Sequence, residues 1–201
     1  MNYLALDTSG NHLTIILNVN AKQYQYFEQD CGVNHSVAVM QRLEELVNDA
    51  NFDLKDIDFF AVVTGAGSFT GIRIGVSTIK ALCFAYKKPC LAITSFDTLA
   101  YNKKSGKVLA VIDAKHDGFY VCGYTDGEVS IQPAYILKDQ LKSLKNEYTL
   151  LASQPHELVD NVVSVVDGLK LAIADCYKQA TLNLDSITPL YVRKSQAEEG
   201  R

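Results

Sequence analysis

Apolar and polar positions alternate along the chain in a pattern that divides it into short strands and helices. Tyr3-Leu4-Ala5-Leu6 is a short apolar strand stopping at Asp7-Thr8-Ser9-Gly10, and residues 13–17 and 23–27 read as a hairpin with its turn expected at Asn18-Val19-Asn20. From Ser36 to about Ala50 the positions Val37, Met40, Leu43, Leu46 and Val47 recur at spacings of three and four, the helical period, with Ser36 as the expected N-cap. Residues 53–58 form a mostly polar connector, and Phe59-Phe60-Ala61-Val62-Val63 reads as a buried strand. It feeds directly into the richest glycine cluster in the chain, Gly65, Gly67, Gly71 and Gly75, from which a helix runs to about Tyr86 before the strand Cys90-Leu91-Ala92-Ile93.

The second half echoes the first. Leu109-Ala110-Val111-Ile112-Asp113-Ala114 repeats the pattern of Leu4-Ala5-Leu6-Asp7-Thr8, and residues 119–124 open a second hairpin as residues 13–17 open the first. A helix near 138–145, a strand near 148–152 and a helix near 165–179 complete it. Two strand-Asp-hairpin units suggest an internal duplication with halves at 1–100 and 101–201, the second half shortened. An Asp ending the first strand of each half is the arrangement of actin-like ATPases, where paired acidic turns orient the metal and phosphates of ATP.

The glycine cluster is a natural place to look for phosphate binding, because backbone amides and a helix N-terminus can face an anion there. The standard patterns do not fit. Ile72 stands where a P-loop needs Lys, and Gly65, Gly67 and Gly71 are spaced one residue too wide for a dinucleotide fingerprint. The geometric reading gives Gly65 and Gly67 a tight turn with positive φ, and makes Gly71 and Gly75 a one-turn pair that admits close approach of another helix. Arg73, Ser77 and Lys80 form one polar stripe on a helix otherwise apolar around most of its circumference. Such a helix must be covered on two sides, by its own sheet and by a partner subunit.

Composition narrows the function classes. With 201 residues, of which 48% are hydrophobic, the chain can build a real core. A net charge of −4 argues against gripping nucleic acid unaided, since phosphate neutralisation needs a clustered positive surface. Five scattered cysteines form neither a disulfide framework nor a zinc pattern. No run of about 18 apolar residues occurs and Met1 leads straight into a strand, so a cytosolic protein without membrane association is expected. No nucleophile-base order or metal-ligand helix for peptide hydrolysis is evident, so no catalytic or metal-ligating residue is assigned.

The motifs Leu4-Ala5-Leu6-Asp7-Thr8-Ser9, His35-Ser36, Gly65 through Gly75, Ile112-Asp113-Ala114 and Leu190 through Glu198 together resemble the TsaB family, in order and over most of the chain. Ala66 stands where that family usually has Pro and Ile72 where it has Leu, while Lys115 and Gly118 replace its Arg and Glu. The resemblance implies an α/β actin-like (RNase H-like, glycoprotease-like) fold that has lost catalysis. It further implies a dimerisation subunit of the machinery forming threonylcarbamoyladenosine at position 37 of tRNAs reading codons that begin with A. The implied partners are a catalytic TsaD-like subunit and a TsaE-like ATPase, with ATP and magnesium handled by them and tRNA met only through the complex. Whether the free chain is a homodimer stays open.

The sister family TsaD carries two metal-ligating histidines four apart on its first helix, whereas here His35 is followed four positions later by Val39. The expected partner interface therefore comprises His35, Val39, Gly71, Arg73, Gly75, Ser77 and Lys80, and the expected vestigial phosphate loop Asp7, Thr8, Ser9 and Asp113. The alternative is an independent actin-like kinase or hydrolase using Asp7 and Asp113 with Mg-ATP, although the C-terminal half lacks the second glycine cluster that holds adenosine.

Overall fold

In the computed structural model, which describes residues 1–31 and 35–193, the chain forms two compact units. The first comprises Met1–Ile93 and Asp175–Pro189. Its sheet contains β1 (Tyr3–Asp7), β2 (Leu13–Val19), β3 (Lys22–Glu28), β4 (Phe59–Val63) and β5 (Cys90–Ile93), in the spatial order β3-β2-β1-β4-β5. The three leading strands form an antiparallel meander, and β4 and β5 add in parallel to β1. The β2–β3 turn falls at Asn20 and Ala21, both with positive φ (51° and 65°), rather than at residues 18–20. Asn18 and Val19 stay in the ladder opposite Gln23 and Lys22, leaving a two-residue loop whose twist suits a hairpin.

Parallel strands need crossovers, here supplied by α1 (His35–Asp49) between β3 and β4 and α2 (Phe69–Tyr86) between β4 and β5. Both crossovers step the same way across the sheet, so right-handed connections place both helices on one face. Leu43 and Leu46 of α1, with Ile72, Val76 and Ile79 of α2, bury against Leu4, Leu6, Ile15 and Val62 of the sheet. α1 begins at His35, so Ser36 lies inside its first turn rather than capping it. Ser68 caps α2 instead, its Oγ accepting the Gly71 amide at 3.2 Å.

The second unit comprises Thr94–Ala174 and the segment from Leu190. Its strands β6 (Lys107–Lys115), β7 (Gly118–Thr125), β8 (Glu128–Leu137), β9 (Thr149–Ala152) and β10 (Asn161–Val162) lie in the order β10-β9-β6-β7-β8. The directions repeat those of the first sheet: β6, β7 and β8 are antiparallel, and β9 and β10 run parallel to β6. α4 (Lys138–Leu144) stands between the third and fourth strands as α1 does. It buries Leu141 among Leu109, Val111, Phe119, Val121 and Leu150.

One helix has no counterpart. Residues 64–89 carry α2 between β4 and β5, but residues 153–160 join β9 to β10 without any helix. A capping box at Thr94 and Asp97 starts α3 (Ser95–Ala100), which the hydrophobic periodicity did not announce. The helix α5 (Val165–Cys176) packs so closely on α3 that a Cβ at Gly168 would lie 1.7 Å from the Thr98 carbonyl oxygen.

Candidate functional site

Both acidic turns follow the first strand of their sheet, but their surroundings differ. Asp7 is 1% exposed. Its Oδ1 accepts the Ser9 amide at 2.8 Å and the Ser9 hydroxyl at 2.7 Å, and its Oδ2 faces His12 Nε2 at 3.0 Å. Burial opposes ionisation of Asp7, but the charge and hydrogen bond of His12, with the two bonds from Ser9, outweigh it and hold the carboxyl below its ordinary range. Burial likewise pushes the His12 imidazole down, and the neighbouring Asp7 carboxylate more than reverses it, so His12 lies above its ordinary value. The Phe27 ring packs against the imidazole at 5.9 Å.

The glycine loop closes over this turn. The Ser68 amide donates to the Ser9 carbonyl at 2.7 Å, and the Thr8 hydroxyl donates to the Gly71 carbonyl at 2.7 Å. An ideal Cβ would come within 2.1 Å of the Ser9 oxygen at Gly67, 2.0 Å of the Thr8 oxygen at Gly71 and 2.5 Å of the Thr8 hydroxyl at Gly75. These glycines therefore exist to seat α2 on the β1–β2 turn. Gly65 and Gly67 have the expected positive φ (110° and 150°), and the Gly65–Ala66 peptide is cis. Thr14, opposite Asp7 in the ladder, has a buried hydroxyl with no hydrogen-bond partner among the described residues.

Asp113 belongs to the second unit. Its exposed carboxylate accepts the Lys115 amide at 2.7 Å and pairs with the Lys115 ammonium at 3.2 Å, at a hairpin tip where Lys115, His116 and Asp117 all have positive φ. Asp7 is buried and both its oxygens are held by Ser9 and His12, so a magnesium–phosphate group would have to compete with these partners for it. Among the described residues no three His, Cys, Asp or Glu side chains converge as a metal site.

The expected interface divides. Val39 is buried in the core of the first unit, and Gly71 and Gly75 are buried against Thr8, so the close approach seen at the glycine pair is made to the chain's own β1–β2 turn. The side chain of His35 lies outside the described residues. Arg73 and Ser77 are exposed, with the Ser77 hydroxyl donating to the Arg73 carbonyl, and Lys80 is half-buried with its ammonium 3.4 Å from the Ile187 carbonyl. The same outward line of α2 ends in Phe84, 80% exposed, and α1 adds Val37 and Met40 at 75% and 54%. The helical period places Val37 and Met40 with Leu43 and Leu46, because periodicity marks apolar residues without saying which of them the sheet covers.

A repeated strand order of 3-2-1-4-5, with an acidic turn after the first strand of each repeat, defines an actin-like protein of the RNase H-like fold. The family model for TsaD, tRNA N6-adenosine threonylcarbamoyltransferase, matches residues 14–158. The tRNA threonylcarbamoyladenosine biosynthesis protein TsaB of Bacillus subtilis is 33% identical over 158 residues, covering 73% of this chain and 67% of that protein. Its namesake from Buchnera aphidicola of Schizaphis graminum is 26% identical over 166 residues, covering 74% and 76%. A crystal structure from Pseudomonas aeruginosa, described as similar to the peptidase YEAZ, superposes with a TM-score of 0.76 over 96% of this chain and 99% of that one, at 22% identity. The chain belongs to the TsaB family. Among the described residues no helix is long and apolar enough to cross a membrane.

Proposed function

We propose that this chain serves tRNA threonylcarbamoyladenosine biosynthesis as a non-catalytic subunit, docking the outer face of α1 and α2 on a TsaD-like catalytic partner. The observation that carries this reading is the exposure of Val37, Met40 and Phe84 on adjacent helices, beside Arg73 and Ser77. Large apolar side chains left exposed on the surfaces of two neighbouring helices are where a partner would be expected to sit. The engagement of both Asp7 oxygens within the chain supports catalytic silence. Recruitment of a TsaE-like ATPase, and action on adenosine 37 of tRNAs reading codons that begin with A, belong to the assembled complex on this reading. So do ATP and magnesium, and tRNA is met only there.

Titration of the purified chain with the TsaD-like subunit of the same source tests this. A complex is expected at micromolar concentration, and Phe84→Glu should weaken it at least tenfold, about 1.4 kcal/mol, with an unchanged melting curve. Absence of a complex at about 10 μM, or normal binding by Phe84→Glu, contradicts the assigned face.

A further inference from the structure

The two crossover helices of the first unit run in the same direction, so their C-terminal ends emerge together at one end of the sheet. Between these ends lies a cavity of about 460 Å³. Val47, Leu54, Phe52 and Tyr86 give it an apolar and aromatic lining, and Asn48, Asn51 and Asp53 supply its polar groups. Tyr86 leans on the buried Phe60 ring at 6.1 Å, so its aromatic face is held in place.

The charged side chain in the cavity lining is Asp53. Each helix C-terminus carries up to roughly half a negative elementary charge from its aligned peptide dipoles. Neither helix has a basic residue in its last turn, and α1 ends in Asp49. Lys87 and Lys88 follow α2, but neither lines the cavity. The Asp53 carboxylate accepts the Lys55 amide at 3.0 Å. Its other oxygen meets the Lys55 ammonium only at 3.5 Å, on a side chain that is 78% exposed. Two aromatic faces, two amides and a carboxylate between two negative helix ends suit a flat organic cation, which can stack on a ring while its N–H groups meet acceptors.

We propose that the cavity between the C-terminal ends of α1 and α2 binds a guanidinium group, that of an arginine side chain or of a free arginine derivative. It lies at the opposite ends of these helices from the glycine loop, and it does not depend on the reading of the outer helix face.

Amide-shift titration with argininamide tests it, with citrullinamide as the uncharged match in shape. Argininamide should give saturable shifts centred on residues 47–54 and Tyr86, and citrullinamide none. Asp53→Asn, which retains a cap for the Lys55 amide, should weaken binding at least about fivefold. Asn48→Lys, placing a resident cation on an exposed position, should abolish it. The two variants are independent, so one remains decisive if the other fails to fold. A blocked Gly-Arg-Gly peptide that binds about tenfold tighter than argininamide supports the site with a polypeptide source, and equal affinity supports it with a free cation. Equal shifts from citrullinamide, or unchanged affinity in the folded variants, overturn the proposal.

Discussion

The turn after β1 and the turn after β6 occupy the same place in two sheets of the same topology, yet Asp7 is sealed and Asp113 is open. The difference traces to one helix. In the first unit α2 enters between the fourth and fifth strands, and its glycines let it settle on Thr8 and Ser9. In the second unit residues 153–160 replace that helix; His156 from this segment packs edge-on against Phe119, the ladder partner of Asp113, and the Asp113 carboxylate itself stays exposed. The same acidic position has thus become a buried structural post in one repeat and the brace of an exposed hairpin in the other.

The largest effect that would sharpen this contrast is expected at the seat of α2. Alanine in a helix gains about 1 kcal/mol over glycine in propensity, but a Cβ at Gly71 would sit 2.0 Å from a backbone oxygen. Overpacking should win, and Gly71→Ala is expected to lose about 3 kcal/mol in urea unfolding. Next comes Asp7→Asn, expected to cost about 2 kcal/mol because a buried charge-assisted bond is lost. Asp113→Asn should leave the melting midpoint unchanged. Equal costs at the two aspartates would break the contrast. Thr14→Val removes a buried hydroxyl that has no partner and should stabilise the fold by about 1 kcal/mol; a loss of that size would mean that the hydroxyl is engaged.

The pH dependence follows from the same pair. His12 is raised, so its contribution is complete below its ordinary value of 6.5 and disappears as pH rises through the higher folded value. Asp7 is lowered, so its contribution is complete above its ordinary value of 3.8 and disappears as pH falls through the lower folded value. The difference in unfolding free energy between the wild type and His12→Gln should therefore be largest between those two values and shrink toward pH 9. A difference that grew with alkalinity would contradict the assigned charge state.

Much of this was legible from period alone. Phe59–Val63 and Cys90–Ile93 emerge with the limits their apolar runs suggest, and the echo of Leu4–Asp7 in residues 109–113 anticipates the repeated topology. What escaped depended on which groups the folded backbone brings together. Gly71 and Gly75 announce a close approach, but only the fold shows that Thr8 makes it. His12 has no metal-like spacing, and its role appears only when the β1–β2 turn brings it to Asp7. Val37 and Met40 share the three-and-four spacing of Leu43 and Leu46, and the sheet covers the latter pair and leaves the former in solvent.

The most direct test is reconstituted tRNA threonylcarbamoyladenosine formation with the TsaD-like and TsaE-like proteins of the same source, comparing Asp113→Asn with Phe84→Glu at limiting subunit concentration. If the chain works through its helix face and not through an acidic turn, Asp113→Asn should match the wild type, and Phe84→Glu should lower the rate at least tenfold, recovering as its concentration is raised. Loss of turnover in Asp113→Asn with binding intact, alongside full activity in Phe84→Glu, would contradict it.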